Sequence, residues 1–419
     1  MKLRKMLAIL LAALMVLALA ACKPSGGNDI NESKADDPYN NMTMAELYDL
    51  AKAEGGTITI YSTTADSQTA VKKFKKAYPD LNIEYISCDT NTVTDKVIME
   101  HDSGNVYADV MQVKDNSGEI YNELYMYDYL EIFKPAAVCA HIDPELLAYG
   151  MPLYATFNPW FYNTAMYPDG VPIQSWWDIC EGYNEDTGSY IDASGKNTQK
   201  WTIYTKDITG PSYASLWTQI IIDGDLMAAQ YKAQYGKDLT ITYTDKLANV
   251  PGMMELPEDN AGVELFYRFS QMKMTELADG DGVVEAVHLS LNGPTLGLTS
   301  ASKLDNRDSS GFDIAWVTGL EPYTAFKACS YSYVVNGCDN PAGARLYIMF
   351  CMGGESGNDG CYTVFDKRGA WSVRDDVEFA KSEMTAEEVK LTAPNFTKVY
   401  TTYPNVKAYW TYWRGLAKD

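Results

Sequence analysis

Three short polar segments follow strand-like runs in the amino-terminal third of the chain, and they carry side chains that could bind a small molecule. They are Ser62–Asp66, Asp89–Asn91 and Lys114–Ser117. Their hydroxyl, amide, carboxylate and ammonium groups suit reversible hydrogen bonding to a polar solute. The same Ser, Thr and Asp residues are also favoured at helix N-caps, so each segment has a purely structural alternative.

The usual catalytic and metal-binding patterns are missing from the sequence. His101, His141 and His288 lie far apart, with no H-E-x-x-H spacing and no G-x-S-x-G elbow elsewhere. The stretch Asp279–Gly282 resembles part of a calcium loop but lacks the later ligands of an EF-hand, which favours a polar turn. A hydrolase that uses two carboxylates remains a remote alternative, because such acids converge in space and not in sequence. We therefore expect no enzymatic activity and no cofactor.

The elements around the polar segments alternate between strands and helices. The periodicity predicts strands at Thr57–Tyr61, Asn82–Ile86 and Ala108–Val113, and helices at Ser67–Tyr78 and Val93–Glu100. This βαβαβ order predicts a largely parallel sheet, in which ligands collect at the carboxyl ends of the strands. All three polar segments follow such strand ends.

The start of the chain has the pattern of a bacterial lipoprotein signal. Three basic residues precede the apolar run Met6–Ala21, and Cys22 stands where the mature chain would begin. The alternative, a transmembrane anchor, needs about 20 apolar residues, and this run is shorter. We predict a signal peptide over residues 1–21 and a lipid on Cys22.

The segment after the signal is polar and contains glycine. Residues 22–55 are therefore predicted to form a lipidated, flexible stalk between membrane and domain. Within it, the helical stretch Met44–Glu54 is expected to cover the entrance of the domain.

Length and charge restrict the architecture and the partners. A chain of 419 residues with a formal net charge of −22 is acidic, and loss of the basic leader would make it more so. Such a charge disfavours nucleic acid or an anionic membrane surface as a partner of the bulk surface, although a locally positive cleft is still allowed. Because single cores rarely grow beyond about 250–300 residues, two lobes are expected.

The remaining cysteines show no recognisable framework. Apart from Cys22 they are Cys88, Cys139, Cys180, Cys329, Cys338, Cys351 and Cys361. Their number is odd, and none has C-x-x-C spacing. Buried thiols are the expected outcome, with their redox state left open.

Several segments together carry a family resemblance. In order, they are TITIYSTTADSQTAVKKFKKAYPDLNIEYI, ADVMQVKD, PLYATFNPWFYNTAMYP, Ser175–Asp178 (SWWD), Lys206–Tyr213 (KDITGPSY) and Gly369–Arg374 (GAWSVR). Over residues 56–415 the chain resembles ABC-transporter solute-binding proteins of the type 2 periplasmic-binding fold. It is most similar to the iron(III)-type family, which groups with polyamine, thiamine, phosphonate and sugar-phosphate binders.

The resemblance implies an α/β fold of two discontinuous lobes with a hinged cleft between them. Lobe I would comprise residues 56–154 and 319–355, lobe II residues 155–318, and residues 356–419 would cross between the lobes. The first crossing would be Met151–Asn163. The return would fall around Gly311–Tyr333, followed by a helix over Asn340–Met352.

The same resemblance points to the residues of the cleft. The candidate ligand-binding residues are Tyr61, Ser62, Thr63, Asp89, Lys114, Asp115, Asn158, Ser212, Tyr213, Asn292 and Thr295. Ser212 is expected to start the helix Tyr213–Ile222, whose free amides would attract an anion, while an ordinary cap is the alternative. The aromatic neighbours of Asn158 could equally pack against the hinge.

The chemical class of the solute stays open at this level. Ferric-iron members use a histidine and an acid from the first lobe and an adjacent tyrosine pair. Here Ala65 aligns with the histidine, Lys114 or Asp115 with the acid, and no Tyr-Tyr pair occurs. Tyr331 and Tyr333 share one face of an expected core strand.

Three alternatives therefore remain for the solute. Lys114 and the helix amino-termini favour an anionic or metal-complexed solute. Asp66, Asp89 and Asp115 keep a polyamine possible, and an oxygen-rich ferric site could instead use Asp89, Asp115 and Tyr61.

The prediction is a monomeric receptor, lipid-anchored to the outer face of the bacterial cytoplasmic membrane. It would capture a small polar solute and deliver it to an ABC permease. Nucleic acid is not expected among its partners.

Overall fold

The computed structural model describes residues 37–247 and 256–417. The predicted signal peptide, Cys22 and the first part of the predicted stalk lie outside the described residues. Among the helices of the described part, none has the length and apolar character that crossing a membrane would require.

The strands, numbered in chain order, are β1 Thr57–Ser62, β2 Asn82–Ser87, β3 Val110–Lys114, β4 Leu130–Glu131, β5 Met151–Thr156, β6 Trp160–Asn163, β7 Thr202–Thr205, β8 Met274–Glu276, β9 Thr295–Leu298, β10 Ile314–Trp316, β11 Ala325–Phe326, β12 Ala328–Val335, β13 Ala370–Trp371 and β14 Leu391–Thr392. The α-helices are α1 Met44–Glu54, α2 Ala65–Ala77, α3 Thr90–Asp102, α4 Ala136–Cys139, α5 Trp176–Ile179, α6 Pro211–Ile222, α7 Gly224–Tyr235, α8 Ala261–Ser270, α9 Gly280–Leu289, α10 Asp305–Ser310, α11 Pro341–Cys351, α12 Ala386–Val389 and α13 Phe396–Leu416. A π-helical segment spans Ile120–Tyr125, and short 3₁₀ turns occur at Pro38–Asn41, Leu146–Ala148, Thr244–Lys246, Ala301–Leu304 and Tyr362–Phe365.

The first sheet has the strand order β13-β5-β12-β3-β1-β2, with β4 paired to β12. β1 lies parallel to both β2 and β3, which confirms the predicted parallel arrangement of these three strands. β12 comes from much later in the chain and inserts antiparallel between β3 and β5. This sheet, with its helices, is lobe I.

The second sheet has the order β10-β6-β9-β7-β8. β7 runs parallel to β8 and β9, whereas β6 runs antiparallel to β9 and β10. This sheet and its helices form lobe II. β11 and β14 make a separate parallel pair.

The chain passes between the sheets at three places. β5 leads into β6 through residues 157–159, and β10 leads back to β12 through residues 317–327. β13 then pairs with β5 in lobe I before the chain returns to lobe II. The predicted boundary at residue 154 therefore falls inside β5, and residues 370–371 belong to the first sheet.

The two lobes have two distinct apolar cores. Lobe I buries the aliphatic residues of β1 and β3 together with Phe74 and Tyr347. The core of lobe II is rich in tryptophan, including Trp160, Trp176 and Trp217. Tyr331 and Tyr333 are fully buried in the core of lobe I, which confirms their predicted place in a core strand.

The first helix is part of lobe I. Thr43 and Glu46 form a capping box at its start, and Leu47 is completely buried. At its other end the Glu54 carboxylate accepts hydrogen bonds from the amides of Ala342 (2.8 Å) and Gly343 (3.1 Å) at the start of α11. Met44–Glu54 is therefore a helix, as predicted, and it is packed on lobe I, so it is not part of a flexible stalk.

The last helix, α13, joins the lobes. Phe396, its first residue, lies in the core of lobe I with its ring 4.8 Å from that of Tyr149. Further along, Trp410 and Trp413 are buried in the core of lobe II. The Tyr400 hydroxyl also donates to Glu123 of lobe I (2.8 Å). The carboxyl-terminal segment thus contributes to both lobes.

Candidate functional site

The carboxyl ends of the parallel strands in lobe I form one edge of the sheet. β1 ends at Ser62 beside Ser87 of β2, and β3 ends at Lys114. Thr63 follows β1, is half-buried, and donates its amide to the Gln112 carbonyl (3.1 Å). Asp89 follows β2 and is exposed. These polar residues therefore meet at one edge, as the parallel order requires.

Helix α2 begins at the same edge. Thr64 is its N-cap and accepts a hydrogen bond from the Asp66 amide, and Ala70, Val71 and Phe74 bury the inner face of the helix. The cap is therefore Thr64, and the neighbouring Thr63 is left to face the edge.

Two predicted residues of β1 are directed into the lobe. Tyr61 is fully buried, its hydroxyl donates to Glu100 (2.6 Å), and the Lys96 ammonium lies 3.8 Å from its ring centre. The Ser62 hydroxyl is also fully buried, 2.8 Å from that of Ser67. Both side chains brace the strand against its helices.

The corresponding edge of lobe II is formed by the ends of β7 and β9. Their last residues, Thr205 and Leu298, are paired. Lys206–Gly210 and the buried Thr299 follow, and the Asp207 carboxylate accepts hydrogen bonds from the amide and hydroxyl of Thr209. The edge thus offers hydroxyl, amide and carboxylate groups opposite lobe I.

Helix α6 starts at this edge, two residues earlier than predicted. Gly210 is the N-cap and Pro211 is the first helical residue, a position where the lost N–H costs nothing. Ser212 therefore lies inside the first turn and is not the cap. Its hydroxyl therefore does not cap the helix, which was the structural alternative to ligand binding.

One hydrogen bond joins the two edges directly. The Asn116 side-chain amide of lobe I donates to the Ser212 hydroxyl of lobe II (3.1 Å). Asn116 is only 8% exposed although it lies between the lobes. Next to Ser212, Tyr213 is buried and bonded to the Thr299 side chain, and burial raises the pKa of its phenol. The space between these groups is the candidate site.

Asp115 points away from this contact. Its Oδ2 accepts a hydrogen bond from the Tyr121 amide (3.0 Å), and its Oδ1 is buried without a partner. Burial raises the pKa of this carboxyl to about 7, although backbone amides oppose the shift. Asp115 therefore holds the turn after β3, and its neighbour Asn116 reaches the other lobe.

The hinge side of the lobe I edge is basic. Lys114 and Tyr154 both pair with Ser330 across neighbouring strands, so the three side chains share one face of the sheet. Lys367 lies 2.5 Å from Asp66 and 3.3 Å from the Tyr154 hydroxyl. Burial opposes its charge, but these two partners raise the pKa of Lys367.

Acidic residues of both lobes act on one tyrosine of α13. Burial raises the pKa of Tyr403 on α13 to about 12, and the charges of Glu119 in lobe I and Asp207 in lobe II add to that shift. A cavity of about 500 Å³ opens here between Thr209 and α13, with Lys407 in its wall.

The structure does not bring all predicted residues to this place. Asn158 is half-buried in the first crossing, beside the site. Asn292 and Thr295 lie elsewhere, because Thr295 begins β9 and pairs with Thr202 at the start of β7. They therefore occupy the far edge of the lobe II sheet, and the residue after β9, Thr299, takes the position expected for them.

A group of metal-ligating side chains is present outside the site. Within the described residues, the ligand atoms of His141, Asp375 and Asp376 lie within 4.8 Å of one another. The Asp376 carboxylate also accepts hydrogen bonds from Nε and Nη2 of Arg374 (2.8 Å each). Ion pairing within the protein accounts for this group.

Comparison with known proteins identifies the fold. No protein-family model matches the sequence, and no curated protein sequence matches it either. The structure, however, is similar to iron-bound HitA from Pseudomonas aeruginosa, with a TM-score of 0.59 and 11% identity over 84% of this chain and 98% of that chain. The chain has the fold of the periplasmic substrate-binding proteins.

Two further structures share this fold. AfuA from Actinobacillus pleuropneumoniae, with exogenous fructose-6-phosphate bound, gives a TM-score of 0.53 at 14% identity over 84% of this chain and 96% of its own. The substrate-binding protein of an ABC transporter from Agrobacterium tumefaciens gives 0.54 at 15% identity over 86% and 94%. The predicted two-lobed periplasmic-binding fold is confirmed.

Proposed function

We propose that this protein is the solute-binding component of an ABC importer and captures a small polar solute between its lobes. The observation that carries the proposal is the Asn116–Ser212 hydrogen bond, which joins the two strand-end edges where this fold would hold a ligand. A solute that replaces this contact would bind to both lobes at once. Binding would then be coupled to hinge motion.

The solute is proposed to carry an anionic group. Ser212 lies in the first turn of α6, where unpaired backbone amides favour negative charge. Lys114 lies on the hinge side of the opposite edge and adds a positive charge. A phosphorylated or carboxylated small molecule, or a metal complex of one, fits this pairing.

A cationic solute is the second candidate. The charges of Glu119 in lobe I and Asp207 in lobe II both act on the Tyr403 phenol, and carboxylates with an aromatic wall suit a polyamine. Oxygen donors of the same kind would also suit ferric iron.

The remaining parts of the proposal concern location and partners. The leader pattern supports export and lipid attachment at Cys22, with the folded part on the outer face of the cytoplasmic membrane. An ABC permease would receive the solute from a monomeric receptor. No chemical conversion of the solute is proposed.

A thermal-shift screen tests the function. The chain from residue 23 onward contains the whole described fold and would be mixed with ferric citrate, polyamines, thiamine, sugar phosphates and phosphonates. A ligand at 100 times its Kd should stabilise the protein by about 2.7 kcal/mol. A shift with one class names the solute class, whereas slow consumption of a stabilising compound would favour the hydrolase alternative.

A double substitution tests the site. Thr63→Ala with Ser212→Ala removes one hydroxyl from each edge, and each hydrogen bond is worth about 0.5–1.5 kcal/mol. Affinity for the solute found in the screen should fall at least about fivefold, while the variant still folds. Asn292→Ala, at the far edge of lobe II, is the matched control. Unchanged affinity in the double variant, or an equal loss in the control, would refute the placement of the site.

A further inference from the structure

Two of the cysteines contact each other inside lobe I. Cys351 ends helix α11, and Cys361 follows a loop of nine residues. Both are buried, with exposed fractions of 0% and 1%. The Cys351 thiol lies near enough to the Cys361 thiol to raise the pKa of Cys361. The Cys351 thiol also accepts a hydrogen bond from the Gln112 side-chain amide (3.7 Å).

The backbone holds these two residues together independently of the thiols. The Cys361 amide donates to the carbonyl of Phe350, which directly precedes Cys351, at 2.8 Å. A Cβ on Gly360 would come within 2.0 Å of the same carbonyl, so only glycine allows this approach. The two α-carbons are thus separated by one hydrogen bond and a few covalent bonds, which is consistent with the usual Cα–Cα range of a disulfide, about 4.4–6.8 Å.

The loop between the cysteines is also fixed. The Arg374 side chain is completely buried and donates from Nη1 to the carbonyls of Met352 (2.9 Å) and Gly354 (2.8 Å). The Asp359 amide closes the loop on the Gly353 carbonyl (2.8 Å). Joining the thiols would therefore require little movement of the backbone.

We propose that Cys351 and Cys361 form an intramolecular disulfide when the protein folds in an oxidising environment. With oxidised glutathione as oxidant, one cysteine thiolate attacks the S–S bond of glutathione, forms a mixed disulfide and releases one glutathione thiolate. The second cysteine thiolate then attacks the mixed disulfide and releases the other. One protein disulfide forms, two electrons pass to glutathione, and the two protons lost by the cysteines end on the two glutathione thiols.

The same surroundings set the timing of this reaction. The nearby Cys351 thiol and burial raise the pKa of the Cys361 thiol, so the attacking thiolate is rare in the folded protein. Oxidation should therefore be fast during folding and slow once the reduced protein has folded. Once formed, the disulfide should resist reduction, because both of its sulfur atoms are buried.

Oxidative refolding with mass mapping tests the proposal. The chain from residue 23 onward is reduced, unfolded, refolded with oxidised and reduced glutathione, unfolded again with an alkylating agent present, and cut with trypsin. Both cysteines fall in one tryptic peptide, residues 346–367. We expect this peptide to lack alkyl groups and to weigh two hydrogens less than the dithiol form. A sample never exposed to glutathione should carry two alkyl groups.

Substitutions make the result specific. Cys351→Ser and Cys361→Ser should each leave one alkylated cysteine in the peptide, whereas Cys180→Ser, a buried cysteine of lobe II, should leave the disulfide unchanged. The oxidised wild type should also unfold at a higher temperature than the reduced form, because the bond closes a loop in the unfolded chain. Two alkyl groups after oxidative refolding, or a cross-link to the peptide that contains Cys329 and Cys338, would overturn the proposal.

Discussion

The two lobes bury a carboxylate in different ways. In lobe II, Glu264 is completely buried and accepts hydrogen bonds from Arg268 Nε (2.7 Å) and from the amide of Thr242 (2.7 Å). In lobe I, Asp115 is 2% exposed and faces a backbone amide, with one oxygen unpartnered. One carboxylate thus has a cationic partner and the other has only dipoles.

Because of this difference, the contributions of the two lobes to stability depend on pH in opposite directions. Burial raises the pKa of Asp115 to about 7. Burial would also raise the pKa of Glu185, which lies beside Arg268, but hydrogen bonds from Tyr231 and Lys237 and the Arg268 charge lower it to about 2. Rising pH therefore weakens lobe I, whereas strongly acidic pH weakens lobe II.

Arg268→Met should have the largest effect on this comparison. The guanidinium is 5% exposed, pairs with Glu264 and Glu185, and lies over the rings of Trp177 and Tyr183. Its loss leaves a buried carboxylate unpaired, which costs about 3–5 kcal/mol of unfolding free energy. Urea unfolding would measure the loss. Lys232→Met removes an exposed ion pair with Asp238 and should change nothing; an equal effect of both variants would contradict the argument.

Asp115→Asn should remove the pH response of lobe I. Between about pH 4 and 7 the folded protein retains a proton that the unfolded chain has released, so wild-type stability falls as pH rises. The full effect has an upper limit of about 4 kcal/mol, from the ordinary Asp pKa of about 3.9. Unfolding curves from pH 4 to 8 should show this slope in the wild type and not in the variant. Parallel slopes would show that Asp115 does not titrate in this range.

The overpacking caused by Gly118→Ala should be the smallest of the three effects, and it lies at the joint between lobe I and α13. Gly118 has φ +77°, and an added Cβ would lie 2.5 Å from the Phe396 carbonyl oxygen. Gly236→Ala is the control, because Gly236 has φ +69° but open space around it. It should therefore show the cost of backbone strain alone, about 1–2 kcal/mol. Gly118→Ala should lower the free energy of unfolding by about 1–3 kcal/mol more than Gly236→Ala does, because the added Cβ overpacks the joint. Equal melting temperatures for the two variants would show that α13 moves freely at this joint.

The strands of lobe I were predicted better than those of lobe II, because their patterns are contained in short consecutive segments of the chain. The strands Thr57–Tyr61 and Asn82–Ile86 were predicted to within one residue, since each strand and the helix after it are consecutive in the chain. In lobe II, β9 was not predicted: TLGL is short and contains glycine, so it lacks a clear strand pattern. The candidate turn Asn292–Thr295 and Thr299 therefore lie at opposite ends of a strand that the sequence does not reveal.

The sequence by itself determined the polar character of the strand ends and the apolar faces that bury the helices. Only the tertiary structure decided which of two neighbours, Asp115 or Asn116, reaches the other lobe. Successive side chains leave the end of a strand in different directions, and the choice depends on where residue 212, distant in sequence, is placed. Such a contact is fixed by the packing of whole lobes, which no short segment encodes.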